Sequence, residues 1–222
     1  MSEVNFSIET VESAPFAQNA FILSREGRDD AIVIDPGFDV RAIFAWLEHE
    51  NRTVAAILNT HGHLDHIAGN QRMKDAFPNA PLIIGRNDAQ ALSDPELNLS
   101  ENYGIPISSP PADRLLDDGE QLGVGGFVFE VREIPGHSPG SVVFIDRSVE
   151  PHFVLGGDVL FAGSVGRTDL PGGSHRQLMS GIQKKLLDLP DSTLVYPGHG
   201  PRTTIGRERA HNPFILDYAR VR

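Results

Sequence analysis

We predict an α/β fold with helices packed on the outside of β layers, from three features of the sequence. Six short apolar runs are continuous, as in strands that are buried on both faces. One further segment alternates apolar and polar residues, and two segments have apolar residues at helical spacing. Strands interleaved with helices are typical of layered α/β architectures. The six continuous runs are Ala31–Ile34, Ala55–Leu58, Leu82–Ile84, Val142–Ile145, Phe153–Leu155 and Leu194–Tyr196.

Each of the two helical segments follows a residue that commonly caps a helix N-terminus. The first segment follows Asp39, and the second follows Ser174. Each segment has one apolar face, which we expect to pack against a sheet. The first face consists of Val40, Ile43, Phe44 and Leu47, and the second consists of Leu178, Met179, Ile182 and Leu186.

The alternating segment lies in the middle of the chain. Phe127, Phe129 and Val131 fall on one side of an extended chain. Glu130 and Arg132 fall on the other side, because successive side chains of a strand point to opposite faces. We therefore expect a strand with one buried face and one face exposed to water.

A single domain is expected over residues 1–222, because no linker, tandem repeat or low-complexity segment divides the chain. The stretch Ser93–Pro111 is rich in proline and serine and is predicted to be a loop. A loop of this length is either a lid or specificity element, or a surface excursion without function.

Composition limits the partners that the chain can have. Its 30 acidic and 19 basic residues give a formal net charge of -11, which repels nucleic acid and anionic membrane surfaces. There are no cysteines, so disulfides, thiolate metal ligands and a cysteine nucleophile are excluded. No apolar stretch approaches the roughly 20 residues that span a bilayer. The acidic N-terminus predicts neither a secretory signal nor a transit peptide, so we expect a cytoplasmic protein.

Three of the nine histidines lie within one segment, Thr60 to His66. The segment begins where a predicted strand ends. Alternate residues of an extended chain point the same way, so His61 and His63 can bind one metal ion together. A turn into a helix would direct Asp65 and His66 to the other side of the same cavity. Four ligands in six residues, pointing in two directions, indicate two metal ions rather than one.

Three further polar residues follow predicted strands in the same manner. His137 follows the alternating strand, Asp158 follows the run at 153–155, and His199 follows the run at 194–196. A glycine precedes each of them, and glycine lets the backbone pass close to a metal ion or a substrate. Together with the histidine-rich segment, these residues form one coherent set of candidate metal ligands.

This set resembles the five-part metal motif of the metallo-β-lactamase superfamily. Asp35 stands where that superfamily carries a supporting aspartate. The resemblance covers residues 19–213 and implies a four-layer αβ/βα sandwich, the metallo-β-lactamase fold. The matching motif residues are His61, His63, Asp65, His66, His137, Asp158 and His199.

The resemblance also implies how two divalent metal ions divide these ligands. Asp158 would bridge the two ions, with a solvent-derived hydroxide shared between them. Imidazole and carboxylate ligands suit Zn²⁺, Fe and Mn²⁺, of which we expect Zn²⁺. The first ion would be bound by His61, His63 and His137, and the second by Asp65, His66 and His199.

Within the superfamily, the chain is most similar to a short form of the glyoxalase II group, which hydrolyses S-D-lactoylglutathione to D-lactate and glutathione. Long forms continue into a helical domain that binds glutathione, whereas this chain ends at Arg222. They also carry a lysine where Arg167 stands, and tyrosines near Asp169 and Pro201 that are missing here. The supporting stretches are Phe16–Asn19, Gly156–Phe161, Gly166–Pro171 and Glu208–Phe214.

The resemblance therefore implies a thioesterase that acts on a small glutathione thioester, as a monomer or a homodimer. Asp65 and Asp158 are the expected catalytic carboxylates, with Asp65 also orienting the hydroxide. A thiol of pKa about 8.5 leaves as thiolate, so no dedicated general acid is required. Arg167 is the expected contact for a substrate carboxylate, and the alternative is a structural ion pair between Arg167 and Asp169.

Several other functions stay open. Persulfide dioxygenases share this fold and the Gly-Arg-Thr-Asp sequence at 166–169, and they use a single iron. A lactonase or other esterase would use the same hydroxide. A β-lactamase is disfavoured, because those enzymes place a different residue where Asp158 stands, and a nuclease is disfavoured by the acidic charge. A non-enzymatic binding module would need a closed structural metal site, without open positions for water.

Overall fold

The computed structural model of the chain describes residues 5–220. The strands within that range are β1 Phe6–Ser13, β2 Gln18–Arg25, β3 Asp30–Ile34, β4 Thr53–Asn59, β5 Leu82–Gly85, β6 Arg114–Leu116, β7 Gln121–Val124, β8 Phe127–Glu133, β9 Val142–Asp146, β10 Phe153–Gly157, β11 Leu160–Phe161, β12 Ser164–Val165, β13 Leu194–Pro197 and β14 Thr203–Thr204. The α-helices are α1 Val40–His49, α2 Leu64–Ile67, α3 Asn70–Ala76, α4 His175–Lys185, α5 Ile205–His211 and α6 Pro213–Arg220. Two 3-10 helices span Arg86–Leu92 and Glu101–Tyr103.

Twelve of these strands form two six-stranded sheets, and β11 pairs with β12 separately. The first sheet has the order β1-β2-β3-β4-β5-β6; β3 to β6 are parallel, and β1 and β2 pair antiparallel. The second sheet has the order β14-β13-β10-β9-β8-β7, in which only β10 and β13 are parallel neighbours. Each sheet therefore mixes a parallel part with antiparallel strands.

The two sheets pack face to face, and helices cover both outer faces. Alternation along β3 shows the arrangement: Ile32 and Ile34 join the core between the sheets, whereas Ala31 and Val33 join the core with α1 and α3. Helices α4, α5 and α6 cover the second sheet in the same manner. The predicted four-layer αβ/βα sandwich is therefore confirmed.

Every predicted strand lies within an observed one, and the alternating strand is β8. Phe127, Phe129 and Val131 are buried there, while Val128 on the opposite face is 55% exposed. Strands β1 and β2 were not predicted. Strand β2 is buried along its whole length although it begins with Gln18 and ends with Arg25. A hydropathy pattern does not reveal such a strand, because its polar residues are buried through hydrogen bonds with other segments.

Both predicted helices are present, and their N-caps differ. Ser174 accepts a hydrogen bond from the Gln177 backbone N–H at the start of α4. Asp39 occupies the N-cap position of α1, but its side chain makes no cap hydrogen bond. Its own backbone N–H donates to Oγ of Ser13 instead. Among the described residues, no helix is long and apolar enough to cross a membrane.

The loops that carry the predicted ligands meet at one edge of the sandwich. They follow the carboxyl ends of strands β4, β8, β10 and β13. Strands β10 and β13 are adjacent and parallel, so the loops after them leave the sheet side by side. The parallel part of the first sheet brings the loop after β4 to the same edge, where open α/β sheets place their ligands.

Candidate metal centre

The histidine-rich segment begins after β4 and turns into the short helix α2. His63 has an extended backbone and occupies the N-cap position of this helix. Asp65 and His66 lie within the helix and are buried. His61 precedes the turn and is fully buried. His61 and His63 share one group of potential ligand atoms with His137, Asp65 and His66 share another with His199, and a third group of His61, His66 and Asp158 connects the two.

Two such groups lie next to each other. In the first, Nε2 of His137 is 2.9 Å from Nδ1 of His63 and 3.2 Å from Nε2 of His61. In the second, Oδ2 of Asp65 is 3.2 Å from Nε2 of His199 and 3.9 Å from Nε2 of His66. Each group thus contains three side chains whose nitrogen and oxygen atoms converge on one point.

The Asp158 carboxylate lies between the two groups. Its Oδ1 is 3.4 Å from Nε2 of His66. Its Oδ2 is 3.5 Å from Nε2 of His137 and 3.5 Å from Nε2 of His199. One carboxylate therefore faces both groups, and all seven side chains that the sequence singled out as ligands come together at this site.

The ring nitrogens that point away from the site are held by hydrogen bonds. Nδ1 of His137 donates to the Arg167 carbonyl at 3.0 Å, and Nδ1 of His199 donates to the Phe16 carbonyl at 3.1 Å. A carbonyl can only accept, so Nδ1 of each ring carries a proton and Nε2 points into the site. Outer partners of this kind orient the histidines of metal sites.

Asp35, the predicted supporting aspartate, holds two more ligands. Its Oδ2 accepts from Nδ1 of His66 at 2.9 Å and from Oγ1 of Thr60 at 2.6 Å. Oγ1 of Thr60 in turn lies 3.2 Å from Nδ1 of His61. Asp35 has a φ of 49°, in the left-handed region that few non-glycine residues adopt. This backbone conformation is retained where Asp35 contacts His66 directly and reaches His61 through Thr60.

The residues present fit divalent metal ions. Nε2 of His66 and Oδ1 of Asp158 are buried, and neither has a hydrogen-bond partner in the described part of the chain. Buried polar atoms are costly without a partner, and a cation between the ligand groups would satisfy both. A donor set of imidazole and carboxylate without thiolate suits Zn²⁺, Fe and Mn²⁺. The site is therefore a cluster that can bind metal.

The two groups differ in their electrostatics. Burial, and then the neighbouring imidazoles, lower the pKa of His63 to about 3 and hold that of His61 well below its usual value. Burial also lowers the pKa of His66, but Asp65 and Asp158 outweigh it and raise that pKa well above its usual value. His61 and His63 of the first group are thus neutral imidazoles, whereas His66 of the second group is paired with carboxylates.

A cavity of about 360 Å³ opens above the ligands. Arg167 lies on its wall, as predicted, and its guanidinium also forms two hydrogen bonds of 2.8 Å with the Asp169 carboxylate. The ion pair with Asp169, the predicted alternative, is therefore present, whereas contact with a substrate carboxylate stays a prediction for an arginine that also faces the cavity. Outside the ligand set, the lining residues are Phe16, Leu64, Leu99, Tyr103, Phe161, Ser164, Val165, Arg167 and Leu170.

Comparison with known proteins decides the family. Residues 14–199 match the profile of the metallo-beta-lactamase superfamily. The chain belongs to this superfamily. It is similar to the probable metallo-hydrolase YqgX of Bacillus subtilis, at 38% identity over 92% of this chain and 95% of that protein. The hydroxyacylglutathione hydrolase GloC of Haemophilus influenzae is 36% identical over 94% of this chain and 98% of that protein.

Solved structures of the superfamily agree with this fold. The BLEG-1 B3 metallo-beta-lactamase is 42% identical, with a TM-score of 0.89 over 94% of this chain and 99% of that one. TTHA1623, solved in a di-iron-bound form, is 36% identical, with a TM-score of 0.81 over 93% and 99%. ETHE1 from Myxococcus xanthus is 26% identical, with a TM-score of 0.78 over 93% and 83%. The chain is therefore a metal-dependent hydrolase of the metallo-beta-lactamase superfamily.

Asp88 is a residue of this metallo-beta-lactamase site that the sequence did not single out. Its buried carboxylate accepts hydrogen bonds from the Gly62 N–H at 3.0 Å, the Gly140 N–H at 2.6 Å and Oγ of Ser138 at 2.6 Å. It thereby joins the loop of His61 and His63 to the loop of His137. An aspartate in a 3-10 helix gives no sequence signal, because its partners are remote in the chain.

The segment Phe16–Asn19 holds the loop of His199. The Asn19 side chain donates to the carbonyls of Pro197 at 3.0 Å and Gly200 at 2.9 Å. Gly198 leaves no room for a side chain, since a Cβ there would overlap Oδ1 of Asp158. Glycine is therefore needed before His199 because the backbone passes close to the Asp158 carboxylate. The sequence predicted a close approach of this kind.

The C-terminal stretch Glu208–Phe214 has a structural role behind the cavity wall. The buried Glu208 carboxylate accepts from the Gly163 N–H at 2.8 Å and from Nδ2 of Asn212 at 2.8 Å. The same Asn212 amide donates to the Ser164 carbonyl at 3.0 Å. These bonds fix the β11–β12 hairpin, whose Phe161, Ser164 and Val165 line the cavity.

Proposed function

We propose that the protein is a binuclear metal-dependent thioesterase of the glyoxalase II type. It would hydrolyse S-D-lactoylglutathione to D-lactate and glutathione. The observation that carries this proposal is the Asp158 carboxylate, whose two oxygens face both ligand groups at 3.4–3.5 Å. A bridging carboxylate between two complete ligand groups suits a two-metal hydrolytic centre better than a closed structural site.

The proposed centre would hold its first ion on His61, His63 and His137 and its second on Asp65, His66 and His199. Two such ions supply Lewis-acid chemistry and a water that ionises near neutral pH. The native metal would be Zn²⁺, with Fe or Mn²⁺ as alternatives. The similarity to TTHA1623, which was solved in a di-iron-bound form, supports including iron in the test.

The side chains of the site would supply orientation and proton control. Asp65 lies at the cavity surface, with its Oδ2 3.2 Å from Nε2 of His199. There it can accept a hydrogen bond from the attacking water and orient one of its lone pairs toward the thioester carbon. Water adds to that carbon and gives up one proton through the Asp65 carboxylate to solvent, the carbon–sulfur bond breaks, and the hydroxyl stays on the acyl group. The thiol, with a pKa of about 8.5, leaves as thiolate without a general acid.

The choice of a glutathione thioester rests on two further observations. GloC of Haemophilus influenzae, named as a hydroxyacylglutathione hydrolase, matches almost the whole chain. Arg167 places a cation on the cavity wall, next to the first ligand group, where it can bind an anionic peptide chain. Both support this substrate over a neutral ester.

The decisive experiment measures hydrolysis of S-D-lactoylglutathione by protein of known metal content. We expect turnover that rises with metal up to two ions per chain, is lost on chelation and returns with metal. The Asp158→Ala variant should bind less metal and lose turnover. Protein with both sites filled that leaves the thioester intact would refute the glyoxalase II assignment and leave the metal-dependent hydrolase in place.

Two other substrates belong in the same experiment because structural similarity favours including them. BLEG-1 is described as a B3 metallo-beta-lactamase, so a β-lactam tests whether this chain shares that activity. The sequence also left open a one-iron persulfide dioxygenase, which is tested with glutathione persulfide and an oxygen electrode. ETHE1 from Myxococcus xanthus is a further similar structure. Oxygen consumption at one iron per chain would replace the thioesterase proposal.

A further inference from the structure

The loop Ser93–Pro111 is firmly attached to the metal-binding segment. The Asn98 backbone carbonyl accepts from the Leu64 N–H at 2.9 Å, directly between His63 and Asp65. The buried Asn98 amide donates to the carbonyls of Ala91 at 3.0 Å and Ile107 at 2.9 Å, and so closes the base of the loop. The loop is therefore a structural part of the site, held to it by a backbone hydrogen bond.

Two of its side chains face the cavity, Leu99 and Tyr103. Leu99 has a φ of 69°, in the left-handed region, which costs about 1–2 kcal/mol for a residue with a Cβ. Its neighbours Asn98 and Ser100 are fully buried and hydrogen-bonded, which holds Leu99 in this conformation. Strain retained beside a cavity is typical of functional positions.

Tyr103 stands at the mouth of the cavity, against Phe16. The two rings meet edge to face, with centroids 5.2 Å apart and planes at 89°. The Phe16 carbonyl accepts from Nδ1 of His199, so this aromatic pair lies beside the second ligand group. The Tyr103 side chain is nevertheless 54% exposed, and part of it is free to contact a ligand.

Arg167 stands at the same mouth, beside the first ligand group, since its carbonyl accepts from Nδ1 of His137. Tyr103 and Arg167 both line the cavity. Together they offer an aromatic ring, a hydroxyl and a cation at the entrance.

We propose that Tyr103 is a specificity-determining residue that contacts the thiol half of the substrate. This inference rests on the proposed thioesterase function. The thioester carbonyl must reach the ligand atoms at the bottom of the cavity, and the lactoyl group is small. The longer peptide chain of the thiol must then pass the mouth, between Tyr103 and Arg167. An aromatic edge, a phenol and a guanidinium suit the amides and carboxylates of such a chain.

Two thioesters with the same acyl group test this inference, S-D-lactoylglutathione and S-D-lactoyl-N-acetylcysteamine. For Tyr103→Ala, we expect kcat/KM on the glutathione thioester to fall about tenfold, mostly through KM. On the N-acetylcysteamine thioester, which lacks the peptide, it should change by less than about twofold. Tyr103→Phe should fall between the wild type and Tyr103→Ala, because it keeps the ring and loses the hydroxyl.

Ile105→Ala is the matched control, since Ile105 is an exposed apolar residue of the same loop that does not line the cavity. It should match the wild type on both thioesters. Equal losses on both thioesters in Tyr103→Ala would show a structural role and overturn the inference. No loss on either would overturn it as well.

Binding of a non-hydrolysable thioether, S-methylglutathione, separates this inference from the proposed function. We expect its Kd to rise about tenfold in Tyr103→Ala and to stay unchanged in Ile105→Ala. If metal-loaded wild type binds the thioether but hydrolyses no glutathione thioester, the proposed function fails while a raised Kd still supports Tyr103. Equal Kd values for wild type and Tyr103→Ala, or no binding by the wild type, overturn the inference itself.

Discussion

The bottom of the cavity and its mouth differ in burial and in the number of bonds that hold them. At the bottom, six of the seven ligand residues are at least nine-tenths buried, and outer partners fix their rings. At the mouth, the side chains of Arg167 and Tyr103 are 59% and 54% exposed. Arg167 is held by a single ion pair with Asp169, which is itself exposed.

This difference separates two tasks. Fixed ligand geometry is needed for catalysis, because misplacement by a fraction of an ångström weakens metal binding and orientation. Recognition of the rest of the substrate tolerates mobile side chains, which adapt to different acyl or thiol groups. We therefore expect substitutions at the bottom to abolish turnover of every substrate, and substitutions at the mouth to change the preference among substrates.

The largest effect is expected for Asp158→Asn. Asparagine keeps the shape but loses the charge that faces both ligand groups. Loss of an outer partner costs about 10–100-fold in metal affinity or activity, so loss of this ligand should exceed about 100-fold in kcat/KM. Metal content and turnover measure it. The control is Asp169→Asn at the mouth. An equal loss in the two variants would show that the bottom and the mouth of the cavity do not differ in their effect on turnover.

Asp35→Asn should have the next largest effect. Oδ2 of Asp35 accepts from His66 and from Oγ1 of Thr60, and Oδ1 accepts from the Thr60 backbone N–H. Asn can accept at only one of these two atoms, so either the His66 ring or the Thr60 backbone beside His61 loses its acceptor. We expect metal affinity to fall about 10–100-fold. Competition with a chromophoric chelator gives this affinity. Unchanged affinity would show that burial alone orients His66.

Asp88→Asn should loosen the link between the two ligand loops. The new amide would place N–H groups against the Gly62 N–H or the Gly140 N–H, leaving a buried donor unsatisfied. We expect a loss of about 1–3 kcal/mol in the free energy of unfolding. Urea unfolding of the metal-free and metal-loaded protein measures this loss. A larger loss in the loaded form would show that Asp88 supports the metal centre beyond the fold, whereas no loss in either form would contradict this role.

Arg167→Gln should have a smaller effect, confined to KM. The Arg167 side chain is exposed, so solvent weakens its contact with an anionic substrate, and we expect KM to rise about fivefold or less. The hydrogen bonds from Arg167 are the main reason why the pKa of the Asp169 carboxyl is lowered to about 2. A lowered pKa means that the pair persists above that value and is lost as pH falls toward it. The KM ratio of variant to wild type should therefore be constant between about pH 5 and about pH 9; a ratio that changes there would show that another group titrates with the substrate.

The seven candidate ligands could be singled out from the sequence because their signal is local. Residues at the ends of apolar strands, each beside a glycine, can be recognised without knowing which strands are neighbours. The Glu130 and Arg132 face of β8 was predicted for the same reason, since alternation is a property of the strand itself. Strand β2 was missed because Gln18, Asn19 and Arg25 are buried through partners far along the chain.

By itself, the sequence determined the layered α/β class and the continuous strands, and it singled out seven candidate ligands that are separated from one another by up to 138 positions (199 minus 61). Only the tertiary structure decided that Asp158 lies between the two ligand groups, that Asp88 joins their loops and that Tyr103 stands at the mouth. The physical reason is that hydropathy and spacing report on single elements. A carboxylate between two ligand groups, a buried aspartate that joins two loops, or an aromatic residue at a cavity mouth exists only when remote segments pack together.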